Sequence, residues 1–170
     1  MRRLFACGDQ VVYGIHGVCR IRGTELRMVD RKKVEYFVLE PINQTGTSYF
    51  VPTQNPAALA KLQPVLTKQQ LDALLHSEEA GKDAWICDEN QRKQRYRELI
   101  GSGDRAALIC MVRSLHKHRQ EQLEAGKKFH LCDENFLRDA EKLLSAEFSL
   151  VLGIAADEVG AYIRNSIECK

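Results

Sequence analysis

Short runs of β-branched and aromatic residues dominate the first fifty or so positions, and a three-to-four-residue apolar period dominates the chain beyond about residue 67. Val11–Tyr13, Val18–Arg27, Val34–Glu40 and Thr47–Val51 read as strands, separated by turn chemistry at Asp30 and again at Asn43 and Gly46. The run from Val34 to Glu40 is too apolar for simple alternation, which predicts a central strand. Gly8-Asp9 leads into the first strand, and Gly14-Ile15-His16-Gly17 is a glycine-bracketed turn into the second. Four or five short strands in so few residues predict a small Tudor- or SH3-like β-barrel. Such a module is near the lower size limit for a self-sufficient core, so it is expected to lean on a neighbour.

Pro52, Pro56 and Pro64 mark the exit from β structure. Thr67-Lys68-Gln69-Gln70 then has the form of a capping box, with the hydroxyl and the amide satisfying orphan groups at a helix start. Helices are predicted over Gln69–His76, Asp83–Ile100, Asp104–Glu124 and about Asp133–Leu152, with a last short one from near Asp157. Glycines at 81, 101, 103, 126 and 153 separate them. Ala107, Leu108, Met111, Val112 and Leu115 form one apolar stripe, and Phe136, Leu137, Ala140, Leu143, Leu144, Glu147 and Phe148 lie along another. The fold class is therefore α+β: a barrel over 1–53, a linker over 54–66 and an all-α domain over 67–170.

Composition changes little in this picture. At 44% hydrophobic and 28% charged residues, the chain is ordinary for a globular protein. No apolar run is long enough to span a membrane. Met1–Cys7 is basic and then briefly apolar, but it stops at Gly8-Asp9, short of a secretion signal. A cytoplasmic location is expected. The six cysteines, at 7, 19, 87, 110, 132 and 169, lack metal-finger spacing, and reduced, mostly buried thiols are expected. The rival is a metal site using His116 and His118, but those two are i, i+2 and point apart on a helix.

Charge distribution says more than the net +2. Residues 92–128 sum to +6, leaving −4 for the remainder. Arg92, Lys93, Arg95 and Arg97 fall on one predicted helix, Arg113, Lys117 and Arg119 on the next, and Lys127-Lys128 in the loop after it. Two such helices could grip phosphates, and the plain alternative is a solvated surface with Glu98, Glu121 and Glu124 as partners. Trp85, the only tryptophan, lies near the start of the first basic helix. It reads either as a core residue docking that helix or as an aromatic platform for unpaired bases.

Catalytic motifs are lacking: there is no glycine-rich phosphate loop, nucleophile elbow or metalloprotease His-Glu pair. His16 is the one candidate general base, against a structural role bracing its turn through backbone hydrogen bonds. Asp133-Glu134 and Asp157-Glu158 sit at helix starts, where acids complement the helix dipole.

One pattern is more specific. Gly8-Asp9-x-Val11-Val12-Tyr13-x-x-His16-Gly17-Val18, then Glu35-Tyr36-x-Val38-Leu39, then Val51-Pro52-x-x-Asn55, resembles the N-terminal module of the bacterial CarD/CdnL transcription regulators. The same module occurs in the transcription-repair coupling factor. A weaker resemblance continues through Ser102-Gly103-Asp104, Val112-Arg113-x-Leu115 and the Ala140–Phe148 helix. It implies a Tudor-like domain that docks on the β subunit of RNA polymerase, and a helical domain that meets promoter DNA at the upstream bubble edge and stabilises the open complex.

Carried onto this sequence, the resemblance implies polymerase contacts by Arg27, Tyr36 and Phe50. Arg27 falls on a basic position of the family, whereas Phe50 stands where the family has a second basic residue. It implies DNA contacts by Trp85, Arg92, Lys93, Arg95, Arg97, Arg113, Lys117 and Arg119. Counting back from Ser102 places Glu89 where the family has a wedge tryptophan. Either Trp85 serves through an altered helix start, or this chain lacks the wedge. The expected protein is a non-enzymatic regulator with no cofactor, metal, membrane or small-molecule substrate. The rival is a stand-alone nucleic-acid-binding module without a polymerase partner.

Overall fold

The computed structural model describes residues 5–42 and 44–168, and it divides into two compact units that meet between Val65 and Leu66. Asn43 and Cys169 lie outside the described residues.

The first unit is one antiparallel sheet of five strands: β1 (Gln10–Tyr13), β2 (Val18–Val29), β3 (Lys32–Pro41), β4 (Tyr49–Pro52) and β5 (Leu62–Pro64). Their spatial order is β4-β3-β2-β1-β5, so β3 is interior, as its continuous apolar run predicts. Val11, Cys19, Ile21, Phe37, Leu39, Val51 and Leu62 are buried together on one face. The sheet is open, in place of the expected closed barrel. Closure would require β4 to pair with β5, but both are very short, and Pro52 and Pro64 each remove a ladder donor.

The stretch 54–66, expected as a linker, is folded. Asn55 accepts the amides of Ala57 and Ala58 and starts α1 (Pro56–Leu59). β5 then pairs with β1 in the register Tyr13↔Leu62, Val12↔Gln63 and Val11↔Pro64.

Strands β2 and β3 are longer than their neighbours. β1 covers β2 only as far as Arg20, and β4 covers β3 only as far as Tyr36. Beyond Leu26↔Glu35, where Glu35 O still accepts the Thr53 amide, the pair continues alone to Val29↔Lys32 as a two-stranded ribbon. Asp30 and Arg31 close it with φ of 49° and 65°. Two left-handed residues in a two-residue loop match the right-handed twist of a hairpin. Leu26 and Met28 are more than 60% exposed on this ribbon.

The second unit holds α2 (Lys68–Leu75), α3 (Glu78–Gly81), α4 (Glu89–Ser102), α5 (Arg105–Glu124), α6 (Leu131–Leu152) and α7 (Val159–Glu168). Thr67 and Gln70 form the reciprocal capping box that opens α2. α5 is the central helix. Every residue from Leu108 to Leu115 is buried, because α2, α3, α4, α6 and α7 all pack on it. A single apolar stripe therefore understates its burial. α6 buries Leu137, Ala140, Leu144 and Phe148 as the periodicity predicts, and Gly153 ends it in the left-handed conformation.

α4 begins six residues later than expected. Asp88 accepts the Gln91 amide and caps it, while the Asp83 carboxylate instead accepts the Trp85 amide in a local turn. Trp85 thus precedes the basic helix in an irregular segment. No helix among the described residues is long and apolar enough to cross a membrane.

Candidate functional site

Arg27, Tyr36 and Phe50 come together on the outer face of the sheet. The ladder sets this: Tyr36 is opposite Glu25, Val38 is opposite both Gly23 and Phe50, and Arg27 is opposite Val34. All of these project away from the face that buries Phe37, Leu39 and Val51. The Arg27 guanidinium lies 3.9 Å from the Phe50 ring centroid, a cation–π contact. Tyr36 meets Phe50 edge-on at 6.5 Å. Glu25 sits 3.4 Å from Arg27 Nε, and both side chains remain 49% exposed. Phe50 therefore adds no second cation; it orients the one that is present. It also lies on β4, an edge strand of the sheet.

His16 is placed by ring contacts in place of the expected backbone hydrogen bonds. It lies 4.2 Å from Tyr49 and 5.0 Å from Tyr13, centroid to centroid. The three rings hold the glycine turn against β4.

In the helical unit the expected DNA contacts separate into two groups. Arg92 is 3% exposed and Asp133 fully buried. Arg92 donates Nε–H and Nη2–H to the two Asp133 oxygens at 2.8 and 2.9 Å, and Nη1–H to the Ile86 carbonyl at 2.9 Å. Burial would lower its pKa, but the hydrogen bonds and charge of Asp133 outweigh that and raise it. Arg113 is also interior, bonded to Ala80 O, Ile163 O and Ser166 Oγ. These two arginines fasten helices and do not face phosphate. Asp133, read from sequence as a dipole complement, is instead the buried counter-ion of Arg92.

Trp85 is half-buried against the helical core. The His118 ring stacks on it at 3.4 Å and 17°, and the Arg92 guanidinium lies 4.2 Å from its centroid. Burial, with the Arg92 charge, holds the His118 pKa below its ordinary range against the pull of Glu121, Asp133 and Asp83. Gln122 Nε2 donates to His118 Nε2 at 3.0 Å, which fits a neutral imidazole. His116 turns the other way, to Glu141 on α6.

The second group is accessible. Arg95, Arg97 and Lys117 are exposed, and Lys93 and Arg119 are partly so. Lys93 pairs with Glu89 at 2.9 Å, Arg95 with Glu98 at 3.5 Å and Arg119 with Glu134 at 3.7 Å. Such surface pairs are weak and exchange readily for a phosphate. Among the described cysteines Cys19 and Cys110 are buried, but Cys7 and Cys87 are exposed, against the expectation of mostly buried thiols. Burial raises the Cys19 pKa to about 11, which leaves it an inert thiol.

The architecture is thus that of a two-unit α+β protein, an open, ribbon-bearing sheet followed by a helical unit with a basic surface. Comparison with known families makes the class specific: residues 5–66 match the CarD-like/TRCF RID domain, and residues 71–164 match the CarD C-terminal domain. The chain belongs to the CarD family of transcription regulators, and its first unit to the RNA polymerase-interacting domains. Among curated proteins it is 21% identical over 159 residues to "Putative transcription factor YdeB" of Bacillus subtilis (strain 168). That alignment covers 94% of this chain and 99% of the relative.

Proposed function

We propose that the protein binds the RNA polymerase β subunit through its sheet and steadies the promoter open complex through its helical unit. The observation that carries this reading is the Arg27–Phe50–Tyr36 cluster, exposed on the outer face beside the β4 edge. An edge strand can accept a partner strand by main-chain hydrogen bonds, and Arg27 supplies a charged contact that fixes register. The helical unit then contributes Lys93, Arg95 and Arg97 from α4, and Lys117 and Arg119 from α5, as sequence-independent phosphate contacts. Arg92 and Arg113 are not part of this surface. Trp85 acts as the pin that holds the 82–88 segment, because its ring is already engaged by His118 and Arg92.

The test uses two charge reversals in the full chain. Arg27→Glu should abolish capture by a purified β-subunit lobe fragment and with it the effect on open-complex lifetime. Arg95→Glu/Arg97→Glu should leave capture intact while shortening that lifetime. Undiminished capture by Arg27→Glu would remove the assigned polymerase contact. Salt-steep DNA binding by the free protein, with no capture by the lobe, would favour a stand-alone nucleic-acid-binding module.

A further inference from the structure

Strand β2 has a long free edge. β1 covers it as far as Arg20, and the segment before β1 follows it to Arg22, whose carbonyl accepts Cys7 Sγ–H. From Gly23 to Val29, among the described residues, β2 pairs with β3 alone. The hairpin loop fixes which groups point outward. With Asp30 and Arg31 as a two-residue loop, Val29↔Lys32 is the first hydrogen-bonded pair, and such pairs alternate along an antiparallel ladder. Val29, Arg27 and Glu25 therefore bond to β3. Thr24, Leu26 and Met28 aim their N–H and C=O groups at the open side. The opposite edge has the same phase: Glu35, across from Leu26, turns its carbonyl outward to the Thr53 amide.

The side chains along this edge are self-complementary. Glu25 and Arg27 project on the outer face, each 49% exposed. Leu26 and Met28 project on the other face, 63% and 64% exposed. A second copy turned about a two-fold axis at Leu26 lays its own β2 antiparallel to the first. Leu26 then meets its equivalent in a hydrogen-bonded pair, Met28 lies opposite the second copy's Thr24, and Glu25 lies opposite the second copy's Arg27, twice over. Those two charge pairs fall at non-hydrogen-bonded positions, where cross-strand side chains come closest. An axis at Glu25 or at Arg27 would instead set like charges against each other, which selects Leu26. The exposed cation–π contact between Arg27 and Phe50 is weak enough to exchange for the new ion pair.

We propose that two copies of the chain pair edge to edge through β2, from Gly23 to Val29, with the two-fold axis at Leu26. A two-fold contact closes on itself and uses up the edge, so assembly stops at a dimer. The free edge of β3 ends at Glu35 and presents Lys33, a residue that opposes strand addition. Only about seven residues per copy take part, so the dimer is weak and forms at high concentration. Where Arg27 also meets polymerase, pairing holds unengaged copies in reserve; that consequence rests on the polymerase contact proposed above, and the dimer itself does not.

Sedimentation velocity of the full chain between about 10 μM and about 1 mM tests this. A monomer at the low end should shift toward a dimer at the high end. Glu25→Arg and Arg27→Glu should each weaken association by about tenfold or more, since two opposite-charge pairs become two like-charge pairs. An equimolar mixture of those two variants should associate again, because every position then faces its opposite charge. That recovery also shows that neither variant lost association by failing to fold. Leu26→Pro removes an outward donor and leaves the β3 ladder intact, so it too should stay monomeric. A wild-type chain that is monomeric at about 1 mM would overturn the proposal. A mixture that stays monomeric, or single variants that associate as well as the wild type, would overturn it equally. The polymerase contact is read apart from this by lobe capture of Leu26→Pro, which keeps Arg27 and the β4 edge: capture without dimer leaves that contact standing, and dimer without capture in the wild type removes it alone.

Discussion

Arg92 shows how far a single side chain can be from the role its sequence neighbourhood suggests. In a cluster of Arg92, Lys93, Arg95 and Arg97 it reads as one more phosphate contact, yet it is the one that points inward. Its partner Asp133 is 41 residues on, beyond the reach of any local pattern. Removing either member leaves the other charged and buried. Arg92→Ala should therefore cost about 3–5 kcal/mol of helical-unit stability, whereas Arg92→Met combined with Asp133→Leu should cost far less. Trp85 is the only tryptophan, so urea unfolding followed by its fluorescence reports this unit alone. A mild single-variant effect would mean that water, and not Asp133, carries the Arg92 charge. His118 supplies a pH dependence. Its folded-state pKa is lowered, first by burial, so the unfolded chain takes up a proton that the folded chain refuses. Stability from this residue is complete above about pH 6.5, the ordinary imidazole value, and is lost as pH falls below it toward the folded value. His118→Phe, which keeps a ring against Trp85, should flatten the acid limb of the Trp85-monitored stability curve between about pH 7 and pH 5. An unaltered limb would assign the dependence to other groups.

At the scale of elements, the sequence was most informative where one local rule decides the outcome. The capping box at Thr67–Gln70, the apolar run of β3 and the Gly153 terminator all act within a few residues, and each appears where expected. The start of α4 differs from the expected one because Asp83 and Asp88 are equally good caps by sequence, and the docking of Trp85 engages Asp83 in a local turn instead. β5 was missed because three residues ending in proline carry no strand signal of their own; pairing with β1 creates the strand. This has a measurable consequence. A fragment ending at Thr53 lacks Leu62, one of the seven residues of the buried sheet cluster, and leaves β1 with an unpaired edge. It should show collapsed amide dispersion in an NMR spectrum, whereas a fragment ending at Val65 should show the spread of a folded sheet. Equal dispersion in the two would mean that β5 is dispensable.

For the whole molecule, the division into a sheet unit and a helical unit follows directly from the change in apolar period near residue 67. Arg27, Tyr36 and Phe50, which the family resemblance singles out, fall together because the β2–β3–β4 register puts them on one face, and that register is not written in any local pattern of the sequence. The basic surface was over-read, because charge patterns do not tell a solvated cation from a neutralised one. If the sheet unit tethers the chain to polymerase, the helical unit needs only weak contacts with DNA, since a tether raises its effective concentration there. A modest excess of positive charge would then suffice. The bare ribbon from Arg27 to Val34 bears on the same point. Its amides bond only across the one strand pair, with no third strand on either side. In the free protein these amides should exchange their hydrogens for deuterium well before those of Ile21 or Leu39. That ribbon also carries Arg27. A partner clasping that stretch would therefore announce itself as slowed exchange there, locating the contact without a single mutation.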